Sequence, residues 1–304
     1  KVWNASRFVM MNLGDMTEYA LPAAQKLEQE DKWALSKLNE LIQEVTENLE
    51  SYEIGVASSK VYDFLWDTYC DWYIELTKTR LNGEDAARDT ARNVLCYVLT
   101  ELLKLLHPFM PFITEEIFQA LPKEKGSEDK FLMLSKWPEY QDALNFPDDE
   151  NSMETVMETI KAIRARRAEM NVPPSKKAEV LLVTSAAEPY QQGIHFLKRL
   201  AYASEVTFSN VPPADLTGQV SVVTRNAAAY LPLSELVDVA AERERIAKEK
   251  EKAENGLRIV EQKLKNEKFV SRAPEAVVNA EKEKADKYRE LIAKLEESAK
   301  ALEN

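Results

Sequence analysis

The 304-residue chain is poor in the residues from which many small-molecule sites are built: it has seven glycines, two cysteines and two histidines. No two glycines lie closer than 25 residues apart, so neither common glycine-rich phosphate loop can occur, nor can a G-x-S-x-G nucleophile elbow. The few histidines and cysteines exclude most zinc sites. The sequence therefore excludes P-loop ATPases and Rossmann domains with the usual fingerprint, and we identify no catalytic residue and no metal ligands.

The two cysteines and the hydrophobic runs indicate the compartment. Cys70 and Cys96 stand alone in apolar, helix-like surroundings, as expected in a reducing cytosol. The most apolar window, 94–113, contains charged residues and two prolines, so we interpret it as a buried helix and its end rather than a membrane span. We expect a cytoplasmic monomer that makes no membrane contact. Because the chain opens inside an amphipathic pattern without an initiator methionine, we also expect a fragment of a longer protein.

Residues 1–150 are predicted to form a helical bundle. Apolar residues recur at helical spacing in five stretches between residues 2 and 120, and short connections between long helices favour a bundle. Asp31 is the expected N-cap of the second helix, and Thr114 is that of the fifth. We expect Trp3 and Trp33 in the core and His107 as a hydrogen-bonded structural histidine.

Residues 151–234 follow a different pattern, which predicts a small α+β domain. Helices are expected over about 153–170 and 188–201. Apolar and β-branched runs predict strands at 178–184, 206–208, 220–223 and 227–233.

Residues 235–304 contain few helix breakers apart from Gly256 and Pro274. Apolar residues follow a 3,4 step on both sides of an expected connection near 269–274. Two helices of about 30 residues cannot each bury such a seam alone, so we expect an antiparallel coiled-coil hairpin about 45 Å long. The predicted fold class is thus mainly α: a helical bundle, a small α+β domain and a C-terminal antiparallel coiled-coil hairpin.

The distribution of charge marks two candidate contacts with a polyanion. The formal net charge is −12, and residues 1–160 alone carry −15, yet six basic residues lie between 161 and 177 against a single acid, Glu169. The candidate phosphate contacts in this basic stretch are Arg164, Arg167, Lys176 and Lys177. Cations near a helix C-terminus are also stabilising by themselves, so a purely structural role stays open.

The second candidate contact is the expected tip of the hairpin. Four basic residues and one aromatic residue cluster there: Lys263, Lys265, Lys268, Phe269 and Arg272. An exposed ring among cations can stack on an unpaired RNA base while the cations contact phosphates. Mixed charges along both helices are equally typical of a solvated helical face, and that interpretation stays open too.

Several strings resemble one family. The segments VWNASRF at 2–8, DKWALSKL at 31–38 and HPFMPFITEE at 107–116 are similar to the helical anticodon-binding domain of class I aminoacyl-tRNA synthetases of the valine, isoleucine and leucine group. The basic stretch occurs in the same group. The segment FVSRAPEAVV at 269–278, set in a coiled coil, resembles the C-terminal tRNA-binding arm of bacterial valyl-tRNA synthetases.

The resemblance implies a function for the parent protein: ligation of valine to tRNA(Val) with ATP and magnesium. The signatures H-I-G-H and K-M-S-K-S of that family are absent here, so we expect this fragment alone to hold no cofactor and to form no aminoacyl bond. The implied partner is tRNA(Val), whose anticodon region would meet Asn4, Arg7 and Lys37. The arm would reach the outer corner of the tRNA.

Two alternatives remain at this point. The chain could be the corresponding region of an isoleucyl- or leucyl-tRNA synthetase, although the arm and the absence of a terminal cysteine cluster speak against it. It could also be a non-enzymatic scaffold that binds proteins through its coiled coil, in which case it would dimerise and bind no RNA.

Overall fold

The computed structural model describes residues 1–83, 85–236, 239–265 and 275–301. The chain divides into two compact units, 1–157 and 158–304. The finer division that the sequence predicts, with boundaries after residues 150 and 234, stays a prediction.

The first unit is a helical bundle, as expected from the sequence. A ten-residue π-helical stretch, Phe64–Tyr73, joins the helices Ile54–Asp63 and Ile74–Leu81 into one continuous helical segment, which we call the π-helical rod. The helices are α1 (Val2–Asn12), α2 (Gln29–Glu50), α3 (Ile54–Asp63), α4 (Ile74–Leu81), α5 (Asp85–Leu106) and α6 (Pro111–Ala120). The mainly helical fold class is thereby confirmed.

Short elements close the bundle. The strands β1 (Glu18–Tyr19) and β2 (Lys123–Glu124) pair in parallel, and single 3₁₀ turns lie at Ala24–Lys26, Leu132–Leu134 and Asp142–Leu144. The helix α7 (Pro147–Glu169) follows. It begins before the predicted residue 153, because Pro147 is compatible with a first helical turn, where its missing N–H has no intrahelical partner to lose.

The centre of the bundle core is α5. Its side chains from Val94 to Leu106 are almost all buried, and each buried aliphatic side chain contributes about 1.5–3 kcal/mol relative to exposure. This explains the apolar window at 94–113 without a membrane. Among the described residues, no helix is long and apolar enough to cross one.

A buried ionic cluster connects α2 to the π-helical rod. Asp31 is fully buried and accepts two hydrogen bonds from the Arg80 guanidinium, at 2.8 and 2.5 Å, and one from the Tyr73 hydroxyl at 2.7 Å. Glu30 lies 2.8 Å from the same guanidinium. Burial raises the pKa of Glu30 to about 7, and the positive charge of Arg80 offsets only part of that effect.

Both expected helix caps are wrong. α2 begins at Gln29 with Glu28 as its N-cap, and Asp31 sits three residues inside, where its carboxylate accepts the Glu28 N–H at 3.1 Å. α6 begins at Pro111, and the Thr114 hydroxyl bonds within the turn to Met110 and to His107 Nδ1. Asp31 takes part in the capping box of α2 as its third residue, while its other partners, Arg80 and Tyr73, are distant in sequence. The partners of the Thr114 hydroxyl are local, within seven residues. The structural role expected for His107 is confirmed.

The second unit contains a four-stranded mixed sheet in the order β4-β3-β6-β5. β3 pairs in parallel with β4 and antiparallel with β6, which pairs with β5. The strands are β3 (Ala178–Val183), β4 (Ala203–Ser209), β5 (Gln219–Val223) and β6 (Ala228–Pro232). The helices α8 (Glu188–Gln192) and α9 (Ile194–Leu200) connect the two parallel strands, and α10 (Leu233–Leu236) follows the sheet. The predicted strands are all present.

The last two helices form the expected antiparallel hairpin. α11 (Val239–Lys265) and α12 (Glu275–Ala301) are each 27 residues long, or about 40 Å. Cross-helix ion pairs fix the direction, since Lys250 lies 2.8 Å from Glu296 and Arg289 lies 2.8 Å from Glu261. Buried residues recur every seven positions, Ala253 and Val260 on α11 and Val278 and Ala285 on α12, as in a coiled-coil seam.

Gly256 explains one irregularity of this seam. A Cβ atom at this position would lie 2.6 Å from the ring of Tyr288, so the tyrosine packs directly on the glycine backbone. Glycine weakens a helix interior by about 1 kcal/mol relative to alanine. Its presence here follows from the size of the opposing ring.

We expect Asp31→Asn to reduce the free energy of unfolding of the bundle by about 3–5 kcal/mol, because it leaves a buried guanidinium without its main carboxylate. Urea denaturation measures this. The control is Glu44→Gln, which breaks the partly exposed pair with Lys60 and should cost less than about 1 kcal/mol. Equal losses in the two variants would contradict the importance of the buried cluster.

We expect Gly256→Ala to destabilise the hairpin by about 1 kcal/mol, because the Tyr288 ring must leave its place. Gly55→Ala is the matched control, since nothing lies within 4 Å of a Cβ at that helical position. It should be neutral or stabilising. Thermal unfolding followed by circular dichroism distinguishes the two, and a gain in stability at Gly256 would show that the ring does not require the glycine.

Candidate nucleic-acid interface

The first group of predicted contacts lies partly on α1. Asn4 and Arg7 are exposed there, and the opposite face, Val2, Ala5 and Val9, is buried. Trp33 is buried as expected, whereas Trp3 is 44% exposed, so its assignment to the core is wrong. Trp3 is one position away from the buried stripe, which places it with the polar residues on the outer face of α1.

An aromatic cluster that the sequence analysis missed lies beside α1. The Lys1 ammonium is 3.7 Å from the centre of the Trp66 ring and 2.8 Å from Asp71. Tyr62 stacks on Trp66 with the ring centres 5.4 Å apart. Both rings are more than one-third exposed. Their i, i+4 spacing, off the buried stripe of the same helix, is the signal that would have found them.

Lys37, the third predicted contact in the bundle, is placed against α7 rather than beside α1. Its ammonium lies 2.7 Å from Glu150, 3.0 Å from Glu154 and 3.2 Å from Glu40. Partial burial disfavours the charged form, but the hydrogen bonds to Glu150 and Glu154 outweigh it and raise the pKa of Lys37 above its usual value. Its charge is already compensated within the bundle.

The basic stretch separates into an outer and an inner part. Arg164 and Lys177 are exposed and Lys176 is half-buried. Arg167 is only 3% exposed. The outer cations present donors to solvent, where a phosphate could reach them.

Arg167 holds the turn that follows α7. Its guanidinium donates to the carbonyl of Pro173 at 3.2 Å and to that of Lys176, and it lies 5.3 Å over the ring of Tyr202. Burial lowers the pKa of Arg167. These contacts support the structural alternative for this residue and leave the exposed cations as the stronger candidates for RNA contact.

The predicted contacts of the arm are only partly described. Lys265 is exposed, and the half-exposed side chain of Lys263 lies 3.6 Å from the carboxylate of Glu281. Glu281 occupies a buried position of the seam, where a single polar residue can fix the register of two helices. Lys268, Phe269 and Arg272 lie outside the described residues.

The described residues contain no group of three or more histidine, cysteine or acidic side chains placed to hold a metal ion. The exposed groups of the candidate interface are cations such as Arg7 and Arg164, the amide of Asn4 and the rings of Tyr62 and Trp66, a combination that suits RNA recognition.

Two family models match this chain. One, described as the anticodon-binding domain of tRNA ligase, matches residues 31–182. The other, described as the valyl tRNA synthetase tRNA binding arm, matches residues 238–303. Together they cover the bundle from residue 31 onward, the basic stretch and the hairpin, while α1 lies outside both matches.

Curated relatives point the same way. A valine–tRNA ligase from Clostridium acetobutylicum is 47% identical over 313 residues, which cover 99% of this chain and 34% of the relative. A valine–tRNA ligase from Clostridium perfringens is 48% identical over a match that covers 100% of this chain and 34% of the relative. A valine–tRNA ligase from Listeria monocytogenes is 40% identical over a match that covers 99% of this chain and 34% of the relative.

This chain spans about a third of the length of the curated relatives it matches. The arm model and the names of these relatives favour valine over the isoleucine and leucine alternatives. The chain therefore belongs to the family of tRNA ligase anticodon-binding domains, and it is the anticodon-binding and tRNA-binding arm region of the valyl-tRNA synthetase type.

Proposed function

We propose that this chain is the part of a valine–tRNA ligase that binds tRNA(Val). The observation that carries the proposal is the presence, in one chain, of two segments whose family models are both named for tRNA contacts. The exposed cations and rings of the bundle, the outer part of the basic stretch and the lysines of the arm support it. The alternative, a scaffold that binds proteins through its coiled coil, gives no reason for matches to two families named for tRNA contacts.

The whole ligase, in this proposal, attaches valine to tRNA(Val) with ATP and magnesium in the cytoplasm. This chain supplies tRNA binding and acts as a monomer in this proposal. The two nucleotide-binding signatures of the family are absent from its sequence, so it forms no aminoacyl bond by itself. Two separate contacts on one RNA make the second contact intramolecular. Such binding raises the effective concentration of the acceptor end at a catalytic site elsewhere in the ligase.

The contacts divide by chemistry. Asn4, Arg7 and Lys37 are the proposed contacts of the anticodon region, and the Lys37 ammonium is also paired with three carboxylates of the bundle. Arg164, Lys176 and Lys177 would contact phosphates from the basic stretch, with Arg167 positioning their turn. In the arm, phosphates would meet Lys263, Lys265, Lys268 and Arg272, and Phe269 would stack on a base.

We expect the isolated chain to bind tRNA(Val) with a dissociation constant on the order of micromolar that weakens as salt rises. Removal of residues 239–304 should weaken binding, because the arm contact is lost. Filter binding measures both effects, and valine-dependent pyrophosphate exchange should be undetectable. Absence of tRNA binding would overturn the proposal. Equal affinity for unrelated tRNAs would remove its specificity.

Replacement of Lys263, Lys265 and Lys268 by alanine should flatten the salt dependence of tRNA binding by roughly one unit of slope for each lost phosphate contact. The control replaces three exposed lysines along the shafts of the hairpin, Lys248, Lys252 and Lys287, which removes the same charge. Circular dichroism checks that both variants keep their helices. An unchanged slope in the first variant would show that the tip does not meet phosphate.

A further inference from the structure

A buried carboxylate interrupts the seam of the hairpin, close to the predicted phosphate contacts of the arm. Glu281 is 8% exposed and lies between the buried seam residues Val278 and Ala285, where a coiled coil ordinarily carries apolar side chains. Its Oε2 atom accepts no hydrogen bond from the described part of the chain. A buried charge that is only partly satisfied costs stability, so packing alone does not explain this glutamate.

Two cations from opposite helices meet the other carboxylate oxygen, Oε1. The Lys284 ammonium of α12 donates to it at 3.3 Å, and the Lys263 ammonium of α11 lies 3.6 Å from it. This cross-helix contact lies seven residues along each helix from the packing of Tyr288 on Gly256, so it belongs to the same antiparallel register. Both lysine side chains are more than half exposed.

The two lysines differ in how easily they can leave the carboxylate. Lys284 is three residues from Glu281 on the same helix and is hydrogen-bonded to it. The distance from Lys263 is too long for a hydrogen bond, and an ion pair of this exposure is weak. The Lys263 ammonium can therefore turn to an anion in solvent while Lys284 keeps the buried carboxylate paired.

We propose that Glu281 is a brake on RNA binding by the hairpin: it holds Lys263 in an intramolecular ion pair that an RNA phosphate must displace. Lys263 is one of the proposed phosphate contacts of the arm, so the inference rests on the proposed function. Phosphate and carboxylate compete for the same ammonium. Glu281 thus sets the strength of one phosphate contact without touching the RNA.

The test is Glu281→Gln in the whole chain, which removes the charge and keeps the size of the side chain. The variant should bind tRNA(Val) about threefold more tightly, the effect expected when a partly exposed ion pair no longer has to be broken. The dependence of log affinity on log salt concentration should steepen by up to about one unit, because one more lysine engages phosphate fully. Filter binding over a series of salt concentrations measures both effects.

Glu283→Gln is the matched control. Glu283 is an exposed carboxylate of the same helix, so its loss changes the net charge equally and should leave the salt slope unchanged. Both substitutions are repeated in a Lys263→Ala background, where Glu281→Gln should have no more effect than the control. Circular dichroism verifies that each hairpin folds, and Glu281→Leu, which suits a seam position, takes the place of the glutamine variant if that one unfolds.

The outcomes distinguish the two proposals. If the unaltered chain binds tRNA(Val) and Glu281→Gln changes affinity and slope no more than Glu283→Gln does, Glu281 is not a brake, and the proposed function stands. An equal effect of Glu281→Gln with and without Lys263 would leave the carboxylate a structural role only and would also overturn the brake. If the unaltered chain binds no tRNA(Val), both proposals are wrong.

Discussion

The buried carboxylate of Asp31 is the constraint on which most of the bundle depends. Its hydrogen bonds to Arg80, Tyr73 and the Glu28 N–H fix where α2 begins, how the π-helical rod lies against it and where the preceding connection ends. Removing such a charge from water is costly unless its partners satisfy it fully. The cluster therefore specifies one arrangement of these elements.

An acidic body and an RNA partner are compatible if the two regions of the chain contact different parts of the RNA. Repulsion between a net-negative surface and phosphates is reduced where the contact is with base edges, which carry no net charge. The exposed cations at Arg164 and Lys177 and on the arm are the groups suited to phosphates, and their attraction to RNA falls with added salt.

The seam of the hairpin contains few large aliphatic residues among the described positions. Its seam alternates small residues with Val260, Val278 and Leu295, and it includes a glycine that accommodates a tyrosine ring. Cross-helix ion pairs such as Arg289–Glu261 are exposed and contribute little to stability individually. Their pairing shows that the two helices run antiparallel.

The sequence by itself determined the helical bundle, the strands of the second unit and the hairpin, because apolar periodicity depends only on which face of an element is buried. It also identified the family through strings such as HPFMPFITEE. Only the tertiary structure decided the roles of individual polar residues. Asp31 is a buried hydrogen-bond acceptor for Arg80 and is not the N-cap residue of α2. Arg167 supports the turn after α7. The Lys37 ammonium is paired with carboxylates of α7, and the Trp3 ring is exposed. A side chain's partner comes from elements distant in sequence, and local spacing carries no information about which distant group will meet it.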